Sequence, residues 1–121
     1  MKSKGRFTQK AEQAIESAGK AASELGHSYV GTEHLLLGIL AQREGLGSRI
    51  LEKRGMDGKR LRRAIEACSG SGSPFFSGQS LSPRARLAME KAAAEAEYMH
   101  QGYIGTEHIL LGIIRQSDSG G

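Results

Sequence analysis

The side chains able to carry chemistry fall mostly in a doubled block. Gly31-Thr32-Glu33-His34 recurs as Gly105-Thr106-Glu107-His108, with Tyr29 and Tyr103 two residues before each. Thr32 and Thr106 read as caps of a helix, with Glu33 and Glu107 in its first turn, where a carboxylate complements the positive end of the helix dipole. Thr8 and Ser82 read as caps of two earlier helices, and Pro83 stands at the favoured first helical position. A metal at His34 or His108 would need further ligands at helical spacing, but His27 has only Gln101 opposite it. Both histidines are therefore read as packed or capping residues, and no metal is expected. Tyr29 and Tyr103 are expected at the core or its rim, each hydroxyl reaching a backbone group. Cys68 is the single cysteine; it excludes an internal disulfide, fits a reducing compartment, and has no evident base beside it. The run from Gly55 to Arg60 has a Gly-Lys pair without the spacing or the following Ser/Thr of a phosphate loop. With no nucleophile–base set and no cofactor site, the chain is not expected to be an enzyme.

The elements that must position these residues are helices. Tryptophan is absent and aromatics make up only 5%, which disfavours a β-sandwich, while alanine is abundant. No apolar run approaches the ~20 residues of a membrane span. The basic start, Met1 to Phe7, leads into no apolar stretch, so it is no secretory signal, and a cytoplasmic location is expected. Much of the formal net charge of +4 sits in Lys59–Arg63. That run reads as a solvated helix face. Neither zinc spacing nor an aromatic stacking platform accompanies it, so neither nucleic acid nor membrane is expected as a partner.

Residues 7–42 align with 81–116 without a gap, an internal repeat at an offset of 74. Ala11, Ala14, Ala18 and Ala22 fall on Ala85, Ala88, Ala92 and Ala96, a small-residue stripe at helical spacing that would let another helix approach closely. Gly26 and Gly102 are expected to help end these first helices. Leu36, Leu37 and Leu40 are expected to form the buried face of the second helix, as are Leu110, Leu111 and Ile114 in the copy. A short helix in "LGSRILEKRG" and a fourth in "DGKRLRRAIEAC" complete the first half. The expected organisation is all-α, two pseudo-symmetric repeats of short helices. It runs as a disordered start over 1–6, a first repeat over 7–68, a Gly/Ser-rich linker over 69–80 with Pro74, Phe75 and Phe76, an incomplete second repeat of about two helices over 81–116, and a flexible tail over 117–121. The absent helix pair should expose apolar surface and favour self-association or domain swapping there.

The doubled "GTEH" block, with the "FTQKA" and "LSPRA" openings, resembles the Clp N-terminal domain of ClpC- and ClpA-type AAA+ unfoldases, closest to ClpC. The resemblance covers roughly residues 6 to 116. It implies a non-catalytic module above a hexameric ATPase ring, binding adaptor proteins and substrates and passing them to the ring and a ClpP-type peptidase. The alternative is a stand-alone accessory or regulator of a Clp complex. The resemblance also implies a phosphoarginine site per repeat, carried to Thr8 and Glu33 in the first and to Ser82 and Glu107 in the second. The chemistry suits the ligand: a capped helix start takes a phosphate, and a carboxylate takes the guanidinium. A peptide groove is implied at Leu81, Arg86 and Glu90, with leucine where the family usually has phenylalanine.

Overall fold

The computed structural model describes residues 6–69 and 80–120, without the side chains of 68, 69 and 118–120. The start expected to be disordered (but for Arg6), Pro74, Phe75, Phe76 and the Cys68 side chain lie outside what is described. Along the chain come α1 (Gln9–Glu24), β1 (Tyr29–Val30), α2 (Thr32–Ala41), α3 (Leu46–Lys53), α4 (Gly58–Ser69), β2 (Ser80–Leu81), α5 (Pro83–Tyr98) and α6 (Thr106–Gly120). Among the described residues, four helices belong to the first repeat and two to the second.

Each repeat is built on one helix pair. The α1 stripe Ala11, Ala14, Ala18 and Ala22 is buried to 1% exposure or less, as is the α5 stripe Ala85, Ala88, Ala92 and Ala96. Helix α2 crosses the first stripe at Gly38, where an added methyl group would collide with the Ala14 carbonyl oxygen. Helix α6 crosses the second at Gly112, against the Ala88 carbonyl oxygen. Alanine on one helix and glycine on the other bring the two backbones into direct contact. This fixes which residues of α2 face inward: His34, Leu35 and Ile39, not Leu36 and Leu37, which are only half-buried. The expected apolar face is corrected accordingly. In a run as uniformly apolar as "LLLGIL", periodicity cannot choose a face, and the glycine does.

Two short parallel pairings lock the repeats together. Tyr29 and Val30 pair with Ser80 and Leu81, and Phe7 pairs with Ile104. These are equivalent under the offset of 74. Ser82 N–H donates to the Val30 carbonyl at 2.9 Å, and Thr8 N–H to the Ile104 carbonyl at 3.0 Å. The entry to each repeat's first helix is therefore held by the other repeat. Helix α3 adds to this by packing on α6. Gly47 N–H donates to Thr106 Oγ1 at 3.0 Å, and Thr106 is 2% exposed.

Four helix boundaries differ from expectation. Gly31, with extended backbone, is the residue before α2, and Thr32 is already helical. Thr106 likewise begins α6, so neither threonine is a cap. Helix α6 continues through Gly120, past the Gln116 expected as its end, because Ser117 and Asp118 do not break a helix. Gly102 does not terminate α5. The left-handed position falls on His100, at φ 58°, which is the counterpart of Gly26 at φ 76°. His27 N–H and Gln101 N–H then close equivalent bonds to Ala22 and Ala96. A non-glycine residue there is disfavoured by about 1 kcal/mol. His100→Gly is expected to raise stability by about that much, read as a higher urea midpoint at unchanged slope. An unchanged midpoint would mean the turn carries no strain.

The two repeats differ in what covers the second helix. Leu40 is 6% exposed beneath α4, whereas its counterpart Ile114 is 49% exposed.

Candidate functional site

Helices α1 and α5 each begin with a hydroxyl cap. Thr8 Oγ1 accepts from Ala11 N–H at 3.0 Å, and Ser82 Oγ accepts from Ala85 N–H at 3.1 Å. Both residues are half-buried, so the caps sit at the surface. The first amides of a helix have no partner within it and point outward. Helix α5 offers one fewer, because Pro83 carries no N–H.

Glu33 and Glu107 also sit in equivalent places. Each side chain folds back over the glycine before its helix. A methyl group on Gly31 would lie 2.5 Å from Glu33 Oε1, and one on Gly105 would lie 2.5 Å from Glu107 Oε1. Any larger residue at these glycines would displace the carboxylate. Both glutamates remain half-buried.

The backbone pairings beside these residues run across the repeats. Val30 pairs with Leu81, so the next residues in register are Gly31 and Ser82. Phe7 pairs with Ile104, so Thr8 stands beside Gly105. By this backbone register the glycine under Glu33 neighbours Ser82, and the glycine under Glu107 neighbours Thr8. Grouping by repeat, Thr8 with Glu33 and Ser82 with Glu107, is what the sequence alone suggests. Nothing there signals the exchange, because two-residue strands are too short to show a pattern.

Histidines hold the glutamate-bearing helix starts. His34 Nδ1 accepts from Gly31 N–H at 2.9 Å, and His108 Nδ1 from Gly105 N–H at 2.9 Å. A histidine side chain therefore supplies the cap that threonine does not. With Nδ1 accepting, each ring carries its proton on Nε2. His34 Nε2 then donates to His27 Nδ1 at 2.8 Å, and His108 Nε2 donates to Gln101 Oε1. Glu107 Oε2 lies 3.9 Å from His108 Nδ1, but that nitrogen is accepting, so the contact is no ion pair in this tautomer. Tyr29 stacks on His27, with ring centroids 5.8 Å apart, and meets His34 edge-on. Tyr103 does the same to His108. At 39% exposure each, the tyrosines are rim residues. Burial holds His34 below the ordinary histidine value; Glu33 opposes this and His27 adds to it.

Leu81, Arg86 and Glu90 come together with Pro83 and Leu87 around a cavity of about 500 Å³. It opens beside Ser82. Among the described residues no group of three or more His, Cys, Asp or Glu side chains is placed to hold a metal ion. Nor is any helix among them long and apolar enough to cross a membrane.

Residues 6–121 match the model of a family described as the Clp repeat (R) N-terminal domain. Over 114 residues the chain is 42% identical to an ATP-dependent Clp protease ATP-binding subunit ClpA homolog of Trieres chinensis, covering 93% of this chain and 13% of the relative. It is 36% identical over 114 residues to the negative regulator of genetic competence ClpC/MecB of Bacillus subtilis, covering 94% and 14%. The chain thus spans about one seventh of the length of these relatives. Among solved structures, the N-terminal domain of the chaperone ClpD from Arabidopsis thaliana superposes with a TM-score of 0.73 at 28% identity, covering 90% of this chain and 75% of that one.

Proposed function

The chain belongs to the Clp repeat (R) N-terminal domain family, and from that membership we propose that it is the substrate- and adaptor-binding module of a Clp ATP-dependent unfoldase, reading phosphoarginine on marked proteins. In this reading ATP hydrolysis belongs to the AAA+ ring, and a ClpP-type peptidase degrades what the ring unfolds. One observation carries the assignment. Each of two surface helix starts, capped by Thr8 or Ser82, stands in register with a glycine over which a glutamate is folded.

The phosphate meets the amide end of α1 or α5, where both the dipole and the free N–H groups favour an anion. The guanidinium meets Glu107 or Glu33, ideally through two parallel hydrogen bonds. A phosphoserine brings the anion without the cation, so the same glutamate repels it. Selectivity therefore comes from requiring both signs at once. The cavity at Leu81, Arg86 and Glu90 adjoins the Ser82 site and is proposed to receive the chain around the mark.

Calorimetry with free phosphoarginine, against phosphoserine and arginine, tests this. Two sites are expected, and Glu33→Ala with Glu107→Ala should weaken both at least about tenfold, the usual scale for a charge-assisted hydrogen bond. Helical circular dichroism should be retained. Cross-repeat grouping predicts the stoichiometry as well. Glu33→Ala with Ser82→Ala should leave one intact site, whereas Glu33→Ala with Thr8→Ala should leave none. Undiminished binding in the double-glutamate variant would reject the sites.

A further inference from the structure

A cavity of about 880 Å³ lies away from the residues above, between α1, α2 and the start of α4. None of Thr8, Glu33, Ser82 or Glu107 lines it. Its apolar lining comes from Ala21, Leu37, Leu40 and Met56. Around this stand Lys20 from α1, Arg43 from the turn after α2, and Lys59 and Arg60 from the first turn of α4. All four cations are exposed, and no ion pair holds any of them among the described residues. Three acids and a fifth cation, Arg62, also line the cleft. Glu24 binds Arg62 at 2.9 Å, and Asp57 Oδ1 accepts from Lys59 N–H at 2.9 Å. Glu52 and Asp57, whose carboxylate keeps its charge while it accepts from an amide, remain against four cations, so positive charge is in excess.

The second repeat serves as an internal control. Its helix pair forms with Ala94 where the first has Lys20 and Ser117 where the first has Arg43. These cations are thus not demanded by the helix pairing. Glu95 and Arg115 stand where Ala21 and Ala41 line the cleft, and they bond to each other at 2.7 Å. The open, cationic version of this place belongs to the first repeat.

We propose that this cleft docks an acidic protein segment, which lays one or two apolar side chains on Leu37 and Met56 while its carboxylates meet Lys20, Arg43, Lys59 and Arg60. The volume falls within the range of about 300–1,000 Å³ usual for ligand pockets, room for a few residues of peptide. Charge complementarity selects the partner and speeds its encounter, and the apolar lining anchors it. Nucleic acid fits less well. No aromatic ring lines the cleft to stack a base, and a phosphate backbone has nothing to set against Leu37 and Met56.

The test is fluorescence anisotropy of the full chain with a short labelled peptide in which Asp and Glu flank two leucines. Saturable binding that weakens with salt is expected. The same peptide with Asn and Gln for Asp and Glu should bind at least about tenfold more weakly, a comparison that needs no protein variant. Arg43→Glu, Lys59→Glu and Arg60→Glu together should also cost at least about tenfold. Glu33→Ala with Glu107→Ala should leave peptide binding unchanged, which separates this surface from the phosphoarginine sites. The proposal is overturned by an absence of saturable binding, by equal affinity for the neutral peptide, or by wild-type affinity in the charge-reversed variant. Loss of binding in the double-glutamate variant would move the peptide to the other sites, and tighter binding of a labelled DNA duplex would make this a nucleic-acid surface.

Discussion

Gly112→Ala is expected to cost about 3 kcal/mol or more, a large part of the roughly 5–15 kcal/mol that holds a domain of this size together. The added methyl group would strike the Ala88 carbonyl oxygen and lie 2.9 Å from Ala92 N and 3.1 Å from the Ala88 carbonyl carbon. All three atoms are backbone, so no side chain can turn aside. Relief requires α5 and α6 to separate, which opens the contact that buries Ala88, Ala92 and Ile109. Gly38→Ala should behave alike, against Ala14 and Ala18. The opposite sign is expected at Gly19, inside α1, where an added methyl group meets nothing within 4 Å. There alanine removes backbone freedom from the unfolded chain and should add about 1 kcal/mol. Urea unfolding followed by circular dichroism reads all three variants. A wild-type midpoint for Gly112→Ala would show that the crossing can loosen without loss.

Acid should weaken the first repeat through His34. In the unfolded chain this histidine takes up a proton near its ordinary value of 6.5, and in the fold only at lower pH. Between the two, the unfolded state binds more protons and gains on acidification. Stability is therefore full above pH 6.5 and falls as the pH drops below it, with a slope approaching about 1.4 kcal/mol per pH unit for one proton. Burial of the ring is the main cause, and its hydrogen bonds leave a second proton no acceptor. A proton on Nδ1 would face the Gly31 N–H that this nitrogen now accepts, and Nε2 already donates to His27. Glu33 favours the charged form and limits the effect, while His27 enlarges it. His27→Gln copies the arrangement of Gln101 with His108. It should keep stability at pH 7.5 within about 1 kcal/mol and flatten the loss between pH 7 and 5. Identical acid limbs in wild type and variant would remove the His27–His34 pair from the explanation.

What was legible in the sequence is what local spacing encodes. The alanine stripes, the caps at Thr8 and Ser82 and the two-repeat organisation depend on residues a few positions apart, or on one offset applied throughout. His34 and His108 were readable as capping residues once their spacing supplied no further metal ligands. Other features depend on partners far away in the chain. Thr106 begins a helix rather than capping it, and its hydroxyl serves Gly47, 59 residues earlier. His100 takes a conformation that glycine prefers because the turn must close on Ala96, and a glycine two residues on misled the reading. Lys59 and Arg60 looked like an ordinary wet helix face. Only the fold sets them across a cleft from Lys20.

The crossed bonds at Thr8 and Ser82 bear on how such a protein begins. A single repeat standing alone would leave its own Val30 carbonyl, or its own Thr8 amide, without the strand that satisfies it. Two free copies could supply both bonds by meeting face to face as a symmetric homodimer. Joining them in one chain trades a concentration-dependent association for a tethered one, whose effective concentration is set by the connecting segment. The halves can then drift apart in sequence, as Gln101 has from His27, without ever having to find each other.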